Sequence, residues 1–590
     1  MKERPTSAAR KGKTALDILP KLCGADIELG NFVLGAQAKR GTGYEASRLL
    51  LREIDGLPRA NAFRGEPCTC PACTRAREES RAGESVEGNG RASKGNGAGK
   101  VVVNPQDWGR KYLPSNGGCI YIDLDHLELC IPEVVSAYDH VACWHAMLRI
   151  ARAAMDTANE RLPEGKQIQV LVNNSDGIGN SYGSHLNFLI SRRTWDNIFR
   201  RKIHYMLYLA AFQASSIVYT GQGKVGSENG APNVEFQLSQ RADFFERLVG
   251  SQTTHNRPII NSRDEALCGR SGRCARDAAE ERARLHVIFF DNTLSHVASL
   301  LKVGAMQIVL SMIEAERVNA DLLLDDPVEA VVKWSHDPGL QARAALASGE
   351  QITAVELQLR FLEAAKRFIA GGGCKGAVPR ATEILALWED TLLKLQAGDI
   401  EALASRLDWA LKYSILQGVL DQRPDLSWES PEIKHLDHLY SSLDPAEGLY
   451  WAYECEGIVE RVVDEEMIDY FTSNPPADTR AWTRAMLLRW AGPDAVDDVD
   501  WDSIRIKVGS ERWRTLYRRL EMADPLGFTK SISDACFDGA SDLDELLDML
   551  GADANRAQAE VKPGADGRNT ALAPIRYSWE RGKGNKRGTQ

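Results

Sequence analysis

Apolar and polar residues alternate along Cys119–Leu129 (CIYIDLDHLEL), the pattern of a strand with one buried face. IELGNFV (27–33) and IQVLVNN (168–174) also read as strands, the second ending in the glycine-rich turn DGIGNSYGS before HLNFLI (185–190). RLHVIFFDN (284–292) reads as a further buried strand, and the apolar spacing of LSHVASLLKVGAMQIVLSMIEAERV (294–318) predicts a long helix. From Thr353 onward the pattern turns helical. Thr353 and Glu356 have capping-box spacing, and Leu357, Phe361, Ala364, Ala365 and Phe368 share one face. Helical spacing persists to about Tyr470, Asn474-Pro475-Pro476 interrupts it, and Trp501–Val508 returns to a strand pattern. The run Ile203–Gly223 has the length of a membrane helix, but Gln213, Ser215, Ser216 and a β-like SIVYT end favour a buried helix running into a buried strand.

The fold class expected from this order is α+β. At 590 residues the chain exceeds what one core holds, so at least two packed units are expected. A hydrophobic share of 43% and a charged share of 26% exclude a wholly disordered, collagenous or coiled-coil protein. With 72 Lys+Arg against 82 Asp+Glu the net charge is −10, which argues against nucleic acid as the default partner. The basic start MKERPTSAARKGKT lacks an apolar core and a cleavage site, and 12 cysteines are too sparse for a disulfide scaffold. A reducing cytoplasm is therefore expected, with no membrane partner. Between Arg59 and Lys100 the composition shifts to Gly, Ser, Glu and Arg, with too few large apolar residues to offset ordering entropy, so a mobile insertion is expected there. No solenoid or propeller period is found.

Acidic residues on strands are the informative chemistry. Asp26 and Glu28 are two apart and leave one face of their strand; Asp123 and Asp125 share a face of another, with Tyr121 in phase and Glu128 and Glu133 following. His185 and His286 lie on or beside two further strands. Carboxylates lining one face repel unless a cation sits among them, and oxygen donors suit Mg²⁺, which usually arrives with nucleotide phosphates. Solvated acids on exposed strand edges are the competing reading. Arg241, Arg257 and Arg263 supply complementary charge, and Arg480 and Arg484, four apart on a helix start, have the spacing to clamp a phosphate or carboxylate. GQGKVG (221–226) is not a Walker sequence. Cys68, Cys70 and Cys73 put three thiols within reach of one tetrahedral Zn²⁺, with Cys268 or Cys274 able to complete it; free loop thiols are the alternative.

Several longer segments carry a family resemblance. GADIELG resembles the GxETEYG strand motif of the Pup ligase and Pup deamidase/depupylase (Dop) family, and NGGCIYIDLDHLELCIPEV resembles its NGARLYVDxxHPEYxxPE segment. NNSDGIGNSYGSHLNFL, FQLSQRADFFERLVGSQTTHNRPIINSRDE, RLHVIFFDNTLSHVASLLKVG, SHDP and PPADTRAWTR find counterparts in the same order, over roughly Leu22 to Val508. The resemblance implies a glutamine-synthetase-like domain, a curved antiparallel sheet cradling ATP and Mg²⁺, followed by a smaller helix-rich C-terminal domain. The expected division is a basic arm at 1–15, the catalytic domain at 16–430 with the insertion at 59–100, the small domain at 431–552 and a flexible basic tail at 553–590.

Carried onto this sequence, the resemblance puts Asp26, Tyr121 and Glu128 on Mg²⁺-ligand positions and Asp123 on the catalytic aspartate. His185 and His286 match histidines lining the nucleotide and metal site, Arg241 a phosphate-side arginine, and Trp501 a tryptophan near the adenine. With the residue-level reading, the expected metal set is Asp26, Glu28, Tyr121, Glu128 and His185. The cofactor side is Arg241, Arg257, Arg263, His286 and Trp501, and the clamp is Arg480 and Arg484. The partner implied is Pup or a Pup-like disordered modifier and its conjugates. The insertion, PEV, and DDPVEAV with SHDP favour a Dop-like amidase or isopeptidase, whereas NRPIIN and GNSYG are nearer the ligase wording. Four departures stand out. A family glutamate is Asp26 here, the arginine of NGARLY is Cys119, the glutamate of a HEN triplet is Leu186, and that of an (M/L)SE motif is His296. A binding paralogue weakened by these losses is a third expectation.

Overall fold

The computed structural model describes residues 18–36, 42–58, 110–265, 267, 282–511, 514–553 and 556–558. The expectations for the basic arm, the insertion, the C-terminal tail and the Cys68, Cys70, Cys73 cluster (with Cys268 and Cys274) fall outside these residues, save a few positions at the start of the tail.

The fold is α+β, built on an eight-stranded sheet. Its central strand is β1 (Cys23–Leu34), on which Cys23, Ala25, Ile27 and Leu29 are buried in the apolar core while Gly24, Asp26 and Glu28 face the other way. The remaining strands are β2 (Leu57–Pro58), β3 (Lys111–Tyr112), β4 (Cys119–Asp123), β5 (His126–Cys130), β6 (Gln167–Leu171), β7 (Ser184–Ser191) and, after a small parallel pair β8 (Phe245–Gly250) and β9 (Arg257–Asn261), β10 (Arg282–Val287). The sheet runs β10-β7-β1-β5-β4-β3-β2, with β6 on the second half of β1, and every pair is antiparallel.

Cys119–Leu129 is not one strand but the β4–β5 hairpin. Leu124 takes a left-handed backbone (φ 52°) at its tip, although no Asn-Gly or Asp-Gly pair marks a turn there. Distant polar groups hold it instead. Asn31 Oδ1 accepts from Leu127 N at 3.0 Å, and the Ser47 hydroxyl donates to the Asp125 carbonyl at 2.7 Å. The turn puts Tyr121 directly across from Glu128.

Helices cover the apolar face. Among them are α1 (Ala137–Asn159), α2 (Ile203–Thr220), α3 (His296–Glu314), α4 (Ala354–Ala370) and α5 (Ala381–Ala397). All of α3 is buried, so the one helix among the described residues long and apolar enough to cross a membrane is the central core helix. The SIVYT segment is helical to Thr220, correcting the expected strand; it is buried on all sides, and packing overrides the β-preference of Ile217 and Val218. Thr353 and Glu356 form the expected capping box.

Ile433, Tyr440, Tyr450 and Phe471 pack into the large core. A smaller core gathers residues of 487–550 with Tyr112, Cys119, Tyr121 and Cys130. It underlies α6 (Ala481–Ala495) and a second antiparallel sheet, β11 (Val496–Val499), β12 (Ser503–Glu511), β13 (Arg514–Glu521) and β14 (Arg556–Gln558). Along the C-terminal part of the chain the large core takes residues up to Phe471 and the smaller one begins at Leu487.

The two units are latched by charge. Arg480 Nε donates to Glu133 Oε1 at 2.8 Å, and Arg484 reaches both Glu133 oxygens as well as the Gly117 and Trp501 carbonyls. Burial by itself would push the Glu133 carboxyl up, but the Arg484 and Arg480 guanidiniums outweigh it and hold it at about 2. A depressed carboxylate contributes stability above its ordinary 4.5 that is lost as pH falls towards about 2. Glu133→Ala leaves two buried guanidiniums uncompensated and should cost about 3–5 kcal/mol in urea unfolding at neutral pH. A variant within 1 kcal/mol (about a fivefold change in the folding equilibrium) would show the latch to be dispensable.

Candidate active site

Between the polar face of the sheet and the C-terminal unit lies a cavity of about 1000 Å³. Period-two alternation aims the side chains. β1 contributes Asp26 and Glu28, the hairpin Tyr121, Asp123, Glu128 and Cys130, β7 His185 and Asn187, and β10 Arg284 and His286. Arg257 and Arg263 close one side, and Arg480, Asp500 and Trp501 come from the C-terminal unit.

Two groups of donors converge. Ligand atoms of Glu28, Asp123 and Glu128 lie within 4.8 Å of one another, as do those of Asp26, Glu128 and Cys130. Glu128 belongs to both. The Tyr121 hydroxyl donates to its Oε1 at 2.6 Å, while Oε2 is buried without a hydrogen-bond partner. Withdrawal from water raises the Asp26, Glu28 and Glu128 carboxyls, and for Glu128 the Asp26 and Glu28 charges raise it further. An orphaned buried oxygen among carboxylates is what a divalent cation would satisfy, and the all-oxygen set of Glu28, Asp123 and Glu128 fits Mg²⁺.

The surrounding polar groups fix these ligands. Gly183 N donates to Glu28 Oε2 at 2.6 Å, and a Cβ on Gly183 would meet His185 Nε2 at 2.5 Å and Glu28 Oε1 at 2.6 Å, so any side chain there would push both groups out of place. Asn187 Nδ2 donates to Asp26 Oδ2 at 3.1 Å, and its Oδ1 accepts from Arg284 at 3.0 Å and from His286 Nδ1 at 2.9 Å. That oxygen can only accept, so His286 carries its proton on Nδ1 and leaves Nε2, buried and unpartnered, as a lone pair. Burial, then Arg241, lowers His185 to about 3, so both histidines are neutral near pH 7.

The sequence profile of the Pup-ligase protein family matches residues 38–505. The chain belongs to the Pup-ligase protein family. It is 35% identical over 437 residues to a depupylase of Acidothermus cellulolyticus, covering 74% of this chain and 82% of that protein. It is 34% identical over 415 residues to a Pup–protein ligase of Acidimicrobium ferrooxidans, covering 69% and 86%. Among solved structures, the Pup ligase PafA in complex with ADP superposes with a TM-score of 0.61 at 23% identity, covering 79% of this chain and 98% of that one. The α+β class expected from the sequence is thereby shown, in the fold of that Pup ligase.

Within this Pup-ligase family fold, the described residues singled out from sequence line one cavity, save Arg241 and Arg484. Arg241 is not on the cavity wall; it is buried behind it, donating to the Tyr182 carbonyl at 2.7 Å. Arg480 and Arg484 clamp a carboxylate of the chain itself, Glu133, because four-residue spacing on a helix start serves an internal acid as well as a ligand. Tyr121 orients Glu128 as a hydrogen-bond donor, its phenol held neutral by burial. The departures also sort differently from expectation. Leu186 is buried in the large core and His296 is fully buried at the start of α3, and neither lines the cavity. Cys119 lies in the smaller core, and the Arg110 guanidinium instead enters the cavity, 4.0 Å over the Tyr121 ring with its Nε unpartnered. Arg110, Cys130, Asn187 and Arg284 were not read from sequence. The last two could have been, since they share strand phase with His185 and His286.

Glu128→Gln removes one charge from a crowd of acids. In chelator it should melt no lower than the parent chain. Added Mg²⁺ should raise the melting temperature of the parent by a few degrees and leave the variant unmoved, as read by calorimetry. A Mg²⁺ response of equal size in both would place the ion elsewhere.

Proposed function

We propose that this chain hydrolyses the C-terminal glutamine amide or glutamyl isopeptide bond of Pup or a Pup-like modifier, with ATP and Mg²⁺ as cofactors. The carrying observation is the Asp123 carboxylate at the end of β4, on the cavity wall and within 4.8 Å of Glu28 and Glu128. From there it can act as base or nucleophile at a glutamyl carbonyl. When bound, Mg²⁺ and nucleotide would supply charge neutralisation and orient the substrate carbonyl. Glu28 and Glu128 would hold the cation beside Asp123, Arg110, Arg257 and Arg263 would face the phosphates, and Trp501 would offer a ring to the base.

The hydrolytic reading draws on the long segment between β2 and β3. These short strands pair with each other, and Arg110, next to the second of them, lines the cavity. The resemblance associates an insertion at this point with deamidase and depupylase members, and several relatives carry that name. Ligase action is the second reading, favoured by NRPIIN and GNSYG and by relatives named Pup–protein ligase.

Purified protein with Mg²⁺–ATP should release ammonia from a Pup ending in Gln and free protein from a Pup conjugate. Asp123→Asn should lower either rate by about 10²-fold or more. Conjugate formation with stoichiometric ADP would establish the ligase instead. Nucleotide binding with no bond made or broken would leave a binding paralogue.

A further inference from the structure

The two donor groups around Glu128 differ in chemistry. Glu28, Asp123 and Glu128 offer only oxygen, whereas Asp26, Glu128 and Cys130 include a thiol. The thiol is placed by the fold. Cys130 is the cross-strand partner of Asp26, and it lies two residues from Glu128 on the same face of β5. It is 2% exposed, is not in a disulfide, and has Glu128, itself 3% exposed, beside it. Glu128 Oε1 is taken by Tyr121, so the oxygen left for this corner is the buried, unpartnered Oε2. The Cys130 thiol is hydrogen-bonded to the Asp26 carboxyl, so sulfur and carboxylate oxygen already meet in this corner.

Mg²⁺ takes oxygen donors and does not select a thiolate, while Zn²⁺ and its soft relatives accept mixed sulfur and carboxylate sets of three protein ligands. We propose that the Asp26–Glu128–Cys130 corner binds a thiophilic divalent cation, Zn²⁺ in particular, at a position separate from the all-oxygen corner. Because Glu128 serves both, occupancy of one position is coupled to the other. The inference extends the reading of the cavity as a cation site, but it needs neither nucleotide nor Pup, so it can fail while the proposed activity stands, or the reverse.

The test uses the full-length chain with Cys68, Cys70 and Cys73 changed to Ser, stripped with chelator and titrated with Cd²⁺ as the spectroscopic probe. An ultraviolet sulfur-to-cadmium charge-transfer band should grow to one equivalent, persist in excess Mg²⁺ and yield to Zn²⁺. Cys130→Ser should remove it, and Asp26→Asn should weaken Cd²⁺ binding by about tenfold or more. A band of equal size in the parent and in Cys130→Ser, or displacement by excess Mg²⁺, overturns the proposal. Should Cys130→Ser fail to fold, Asp26→Asn decides alone: it keeps the thiol, and unchanged Cd²⁺ affinity is the refuting result.

Discussion

Carboxylates brought together on the polar face of a sheet, away from bulk water, repel one another, and the cavity is organised around that repulsion. Asp26, Glu28, Asp123 and Glu128 come from three adjacent strands, and Glu128 sits within reach of the other three. Inside protein, each added negative charge raises the cost of the next. The chain answers with directed donors: Tyr121 on Glu128, Gly183 on Glu28, Asn187 on Asp26. These fix the oxygens in place without neutralising them. The remaining charge is what a divalent cation would neutralise.

The C-terminal unit makes that surface into a cavity. Arg480 and Arg484 spend their charge on Glu133, directly after the hairpin carrying the acids, and Arg484 also holds the Trp501 carbonyl. A surface pair of this kind would contribute little, but this one is buried and its geometry is saturated with hydrogen bonds. It therefore sets where Trp501 stands relative to the carboxylates. The arginines that sequence spacing offered to a ligand are thus tied to Glu133, Arg480 at the cavity wall and Arg484 behind it, and Arg110 enters the space in front.

The same polar economy explains why the departures from the family motifs weigh differently. Leu186 and His296 lie on faces that never meet the cavity, whereas Asp26 and Cys119 sit on its wall or directly beneath it.

The sequence by itself determined the α+β class, the central strand with Asp26 and Glu28 in phase, the long helix through Val303, the capping box at Thr353 and the family. Each of these rests on local periodicity or on contiguous motifs, which a single sequence carries in full. It did not determine the hairpin within Cys119–Leu129, because that turn is held by Asn31 and Ser47 rather than by its own residues. Nor did it reveal that SIVYT is helical, that Arg241 stands behind the wall, or that Arg480 and Arg484 are bound to Glu133. Those outcomes depend on which groups far apart in the chain arrive at the same buried place, where an unpaired charge or amide costs more than any local preference can return. Only the tertiary structure decides that meeting.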